Sequence, residues 1–155
     1  MYRLRVSTWV RAPLETCFDL ARSIDAHIES AKGSGERVVG VRQTGLLELG
    51  EEVTWEGWHL GVVQRLSSKI TVLEPYSFFQ DRMIQGAFRF FEHDHLFEPK
   101  DGGTTMTDLV RFRAPYGPLG WLAERLLLAG HLRRFLVARG IALKQMAERG
   151  AEIPP

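Results

Sequence analysis

Cysteine is nearly missing from this sequence. The one thiol, Cys17, has no partner within the chain, which excludes an intramolecular disulfide framework and with it the usual signature of an exported, cross-linked domain. Among Leu14, Phe18 and Leu20 it reads as a small core hydrophobe. An excess of one charge is missing too: 20 basic residues stand against 19 acidic ones, a formal +1, so the whole-molecule field gives nucleic acid no reason to approach, and no nucleic-acid partner is expected. No window approaches the ~18–20 apolar residues of a spanning helix. Met1-Tyr2-Arg3-Leu4-Arg5-Val6 lacks the apolar stretch of a secretion signal, and cytoplasmic residence is the expectation. Internal repeats, low-complexity tracts and linkers are absent as well. What is present is an ordinary globular composition, 45% hydrophobic and 25% charged over 155 residues. That length suits one domain, 1–155, burying roughly 68–70% of its unfolded surface.

Tyr2, Leu4, Val6, Thr8 and Val10 alternate with Arg3, Arg5, Ser7, Trp9 and Arg11, the period of a half-buried strand. Pro13 and Glu15 then open a short helix carrying Leu14, Cys17, Phe18 and Ala21. Ser23 or Asp25 caps a second one through Ile24, Ile28 and Ala31, which stops at Gly33 and Gly35. Six strand-like runs follow at Arg37–Val41, Glu52–Trp58, Gln64–Leu73, Phe78–Ile84, Ala87–Phe97 and Thr104–Arg113, with links short enough for an antiparallel meander. After Pro115-Tyr116-Gly117-Pro118 the pattern turns helical from Leu119 to about Arg149, with Leu122, Leu126, Ala129, Leu136, Leu143 and Met146 along one stripe. Gly130 and Gly140 mark a bend or a close contact in that helix.

A sheet of this kind must bury one face, and the terminal helix is the only large apolar element able to cover it. The expected fold is α+β: a curved seven-stranded antiparallel sheet with two short helices, gripping a long C-terminal helix over an apolar cavity. At Arg11-Ala12-Pro13-Leu14-Glu15-Thr16-Cys17-Phe18-Asp19-Leu20 the chain resembles the "A-P-x-E-x-V-F-D" opening of the START-like, or SRPBCC, superfamily, which includes the birch pollen allergen, lipid-transfer START domains, coenzyme Q-binding proteins and polyketide cyclase/dehydrases. The likeness continues through Gly50-Glu51-Glu52-Val53-Thr54-Trp55, Phe91 to Phe97, Gly103 to Asp108 and Pro115 to Gly120, and points to the bacterial cyclase-like branch. It implies the helix-grip fold and a small hydrophobic ligand such as a lipid, an isoprenoid quinone or an aromatic polyketide. No cofactor is expected.

Parity along each strand decides which side chains meet the ligand. Val53 and Trp55 face inward against Glu52, Thr54 and Glu56. Leu66, Ser68, Ile70 and Val72 face inward against Arg65, Ser67, Lys69 and Thr71, and Phe79 and Met83 are favoured over Gln80 and Arg82. Between Ala87 and Phe97 both parities carry aromatics. Burying Glu92 and Asp94 without partners costs several kcal/mol, whereas neutral imidazoles are cheap to bury, so Phe91, His93, His95 and Phe97 are placed inside. Met106, Asp108, Val110 and Phe112 form the inner set of the last strand. A four-residue turn from Pro99 to Gly102 sets His93 opposite Asp108. The ligand-binding set is therefore Trp55, Leu66, Ile70, Phe79, Met83, Phe91, His93, His95, Phe97, Met106, Asp108, Val110, Leu122 and Leu126.

A carboxylate beside an imidazole holds its tautomer and raises its basicity, which makes His93 a candidate catalytic base, Asp108 its orienting partner and His95 a proton donor or carbonyl contact. The alternatives are that these groups contact a ligand without chemistry, or that they only satisfy one another in a protein whose cavity is filled and whose surface binds a partner. His93 and His95 with His59 or Asp108 have the makings of a three-ligand zinc site, but no metal is expected. His59 reads as a solvated turn residue, and His27 and His131 read as structural. From Gly120 to Arg149, Arg125, Arg133, Arg134, Arg139, Lys144 and Arg149 face only Glu124 and Glu148. This is a solvated basic face, with transient membrane-surface contact through Trp121 and Leu126 to Leu128 as the sharper reading. The Gly45–Gly50 loop, Pro115–Pro118 and the start of the last helix are the expected lid.

Overall fold

The computed structural model describes residues 1–150 and 154–155. Strand β1 (Tyr2–Val10) leads into α1 (Leu14–Arg22) and α2 (Ile24–Ser30), and Ser23 caps α2 by accepting the Ala26 amide at 3.1 Å. Six strands follow: β2 (Arg37–Val39), β3 (Glu52–His59), β4 (Val62–Glu74), β5 (Phe78–Gln85), β6 (Phe90–Lys100) and β7 (Gly103–Arg113). They form one antiparallel sheet in the order β1-β7-β6-β5-β4-β3-β2. The chain ends in α3 (Gly117–Ala123), a π-helical turn (Glu124–Leu128) and α4 (Ala129–Glu148). No helix among the described residues is long and apolar enough to cross a membrane.

Helix α4 runs against β1, α1 and α2, burying Leu136, Leu143 and Met146. At Gly140 it approaches the sheet closely: a Cβ there would lie 2.6 Å from Thr8 Oγ1. Two hydrophobic clusters result. One surrounds Phe18, whose ring edge meets Phe79 at 5.5 Å and Phe97 at 5.3 Å. The other surrounds Phe112, Val110, Leu4, Val6 and Leu136.

On the outer face of β6, Glu92 and Asp94 are buried rather than bathed in water, because cross-strand neighbours cover them. Glu92 is paired with Arg82 and Arg111, and Asp94 takes hydrogen bonds from Arg111 at 2.8 Å and Gln80 at 2.7 Å. The acids stay off the inner face for the reason expected, and the partners they lacked inside are supplied outside.

Four sequence expectations are corrected. The β6–β7 turn is Asp101-Gly102, both at positive φ, so Lys100 pairs with Gly103 and Asp108 lies across from His95, not His93. In β4 a bulge between Ile70 and Val72 reverses the parity, so Leu73 rather than Val72 packs on the core. The C-terminal helix is irregular at Glu124–Leu128 and not at Gly130. Strand β2 is three residues long and ends at Val39.

Candidate functional site

Sheet and C-terminal helix do not meet everywhere. Between them lies a cavity of about 250 Å³, with walls drawn from both hydrophobic clusters. A single water needs only about 10–15 Å³ by a comparable measure, so the space is large and unfilled by side chains. Trp55, Leu66, Ile70, Phe79, Phe91, His93, His95 and Val110 line it. From the loop before β3 comes Leu47, from the segment after β7 Pro115, and from the C-terminal helix Leu128, Leu132, Phe135 and Leu136.

Other expected lining residues lie elsewhere. Phe97 and Met106 belong to the solid core around Phe18. Met83 packs on the Phe112 cluster, its sulfur over Gly86. Leu122 and Leu126 are 46% and 70% exposed, because the π turn puts more residues into one revolution and rotates the stripe that a regular 3.6 period projects onto the sheet. Asp108 stands behind the imidazoles rather than in the wall.

Alternation along β6 turns His93 and His95 to the same side, their ring centroids 3.8 Å apart. Asp81 on β5 lies across from His93, and Asp108 on β7 across from His95. The contacts also run diagonally: His93 Nε2–H donates to Asp108 Oδ1 at 2.8 Å, and His95 Nε2–H donates to Asp81 Oδ2 at 3.0 Å. His95 Nδ1 lies 3.2 Å from Asp108 Oδ1, and His93 Nδ1 lies 3.9 Å from Asp81 Oδ2. Phe79 stacks on His95 at 4.1 Å.

Burial opposes charge on all four groups, and hydrogen bonding decides which ones ionise. Against that burial, His93 and His95 hold Asp108 far below the ordinary carboxylate range, and His95 and His93 hold Asp81 down as well. His95, also opposed by burial, is raised because both carboxylates accept from it. Burial lowers His93, and the charge on His95 lowers it further. These shifts favour charge at His95 over His93, and with its Nε2–H given to Asp108 the His93 ring carries its lone pair at Nδ1.

Arg139, expected on a solvated face, is instead 4% exposed and lines the cavity. Its Nη1 lies 3.7 Å from Asp108 Oδ1 and its Nη2–H donates to the Ala21 carbonyl at 3.0 Å, so a fixed positive charge stands beside the Asp108 and Asp81 carboxylates. Among the described residues Arg139 Nε has no hydrogen-bond partner. Asp81 escapes the sequence reading, although the parity that places Phe79 and Met83 inward places it there too.

A second polar network lines the same cavity, built from the histidines read as structural or solvated. Glu36 accepts His27 Nε2–H at 2.5 Å and His59 Nε2–H at 2.9 Å, and His131 Nε2–H donates to His59 Nδ1 at 3.0 Å. His27 stacks on Trp55 at 3.8 Å. Burial opposes ionisation of Glu36, but the two imidazole donors prevail and hold its carboxyl at about 2. Burial keeps His27 below its ordinary value.

No family model and no curated protein sequence matches the chain. Solved structures do. A protein from Thermus thermophilus superposes with a TM-score of 0.77 at 15% identity, covering 97% of this chain and 100% of that one. An aromatase/cyclase from Streptomyces sp. R1128 gives 0.72 at 16%, covering 96% and 94%. A major latex-like protein from Panax ginseng gives 0.65 at 11%, covering 94% and 97%. Identities this low speak to architecture alone, and in architecture the agreement covers 94–97% of the chain: its fold is the helix-grip fold that these structures share.

Proposed function

We propose that this protein binds a small hydrophobic molecule, a lipid, isoprenoid quinone or aromatic polyketide-like compound, between the sheet and the C-terminal helix. The observation that carries the reading is the unfilled cavity of about 250 Å³, walled mainly by aromatic and aliphatic side chains. Binding there draws on apolar area, at about 25 cal/mol per Å² removed from water. His93 Nδ1 offers an acceptor to orient the occupant. Exposed Leu119, Trp121, Leu126 and Leu127 beside Arg125 support loading from an anionic membrane surface. Native mass spectrometry after gentle purification is expected to find a co-purified hydrophobic molecule. Repeated recovery of empty protein, with no thermal shift across a panel of lipids, quinones and polyphenols, overturns the reading.

One observation favours a second reading, a cyclase or dehydratase. His93, anchored through Nε2–H to Asp108, keeps a lone pair at Nδ1, the arrangement needed to remove a proton next to a carbonyl, and beside it lies His95, whose two carboxylate contacts favour the charged form that donates a proton. Under this reading His93→Gln abolishes turnover of an aromatic polyketide substrate while Tm barely moves. Equal loss of both assigns His93 to the scaffold.

A further inference from the structure

We propose that Asp81, His93 and His95 form a site for one divalent first-row transition ion of the Zn²⁺ or Fe²⁺ kind, bound through Asp81 Oδ2, His93 Nδ1 and His95 Nε2. These three atoms lie within 4.8 Å of one another, with Asp81 Oδ2 3.0 Å from His95 Nε2 and 3.9 Å from His93 Nδ1. Ligand atoms around a tetrahedral zinc with bonds of about 2.0–2.1 Å are separated by roughly 3.3 Å. Small side-chain rotations close the difference. No other trio of His, Cys, Asp or Glu among the described residues converges in this way, the Glu36 network included.

The second observation is independent of that distance. The nitrogens left over, His93 Nε2 and His95 Nδ1, are both directed at one carboxylate, Asp108, at 2.8 and 3.2 Å. A carboxylate behind a metal-binding imidazole sets its tautomer so that the opposite nitrogen carries the lone pair; at His93 that nitrogen is already free, and at His95 the ion takes the place of the Nε2 proton that Asp81 otherwise accepts, releasing it to solvent. Arg139 in turn stands 3.7 Å from Asp108, offsetting its charge without reaching the site. Two imidazoles and one carboxylate suit zinc or ferrous iron, whereas magnesium and calcium prefer oxygen alone. Three protein ligands leave a position open on the cavity side, for water or for an oxygen of the occupant. The inference stands apart from the identity of the organic ligand, because the metal alone tests it.

The experiment strips the full-length chain with a chelator and titrates it with Zn²⁺ by calorimetry and with Co²⁺ by visible absorption. Wild type is expected to take up one equivalent saturably and to gain Tm. Asp81→Asn, which removes a ligand, is expected to lower affinity by about 100-fold or more, and Asp108→Asn by about 10-fold, the range seen when an outer-shell partner is lost. Should either variant fail to fold, Co²⁺ added to the unsubstituted protein is expected to shift the imidazole proton resonances of His93 and His95 and to leave those of His27, His59 and His131 in place. Absence of saturable uptake by wild type, uptake by folded Asp81→Asn equal to wild type, or shifts confined to the other three histidines overturns the proposal.

Discussion

Asp108 faces His95 across the β6–β7 ladder, yet the same oxygen that lies 3.2 Å from His95 also accepts from His93, two residues earlier in β6, at 2.8 Å. One carboxylate thus holds two rings. Asp108→Asn leaves a single acceptor for both and presents an amide N–H to imidazole hydrogens. Removing one partner from a buried charged cluster costs about 3–5 kcal/mol, and urea unfolding at neutral pH checks it. A loss under about 1 kcal/mol means that the rings are positioned by packing instead.

Acid is expected to loosen the protein through Glu36. Its carboxyl is held at about 2, below the unfolded value of 4.5, so its stabilisation is complete above pH 4.5 and is lost as pH falls toward 2. His27 acts in the same direction: buried neutral, it gives an unfolded chain the advantage of taking up a proton below about pH 6.5. Glu36→Gln should therefore lower stability at pH 7 by on the order of 3 kcal/mol and flatten the fall between pH 5 and 2. Parallel curves for wild type and variant would show that Glu36 does not report on folding.

A larger side chain at Leu132, in the cavity wall, is expected to compete with the ligand. Leu132→Trp should weaken uptake of a hydrophobic fluorescent probe by about 10-fold or more while Tm holds or rises, since filling a void is favourable where no strain follows. Unchanged uptake puts the probe somewhere other than this cavity.

Gly120 tests the start of the C-terminal helix. Alanine normally gains about 1 kcal/mol over glycine inside a helix, but a Cβ at Gly120 would run into the Pro115 carbonyl oxygen. Gly120→Ala is expected to destabilise by about 1–3 kcal/mol and to speed hydrogen exchange in α3. Stabilisation would mean that Pro115 yields easily.

Strand order and facing were legible because alternation is a property of consecutive residues. The inward set of β6 survived a misplaced turn: Asp101-Gly102, rather than Pro99 to Gly102, slides the β6–β7 pairing by two residues, and an even slide keeps every side chain on its own face while changing its opposite number. Single-residue irregularities did the damage. The β4 bulge exchanged Val72 for Leu73, and the π turn carried Leu122 and Leu126 out to solvent. Neither leaves a mark in hydrophobic periodicity, since each is a backbone choice settled by what packs on either side. Arg139, Glu36 and the outlying histidines were hidden for another reason: each is buried only because partners distant in sequence satisfy it.

The wide turn at Glu124–Leu128 reaches beyond the helix that contains it. Glu124 is buried there and accepts the Ala114 amide at 2.7 Å, tying the end of β7 to the rod that crosses the sheet. Shortening the turn by one residue would swing everything before it by about 100° relative to α4, carrying Glu124 off its amide and bringing a different edge of α3 to the outside. Chain length at this one spot works like an indexing tooth, and it governs which oily side chains stay outdoors.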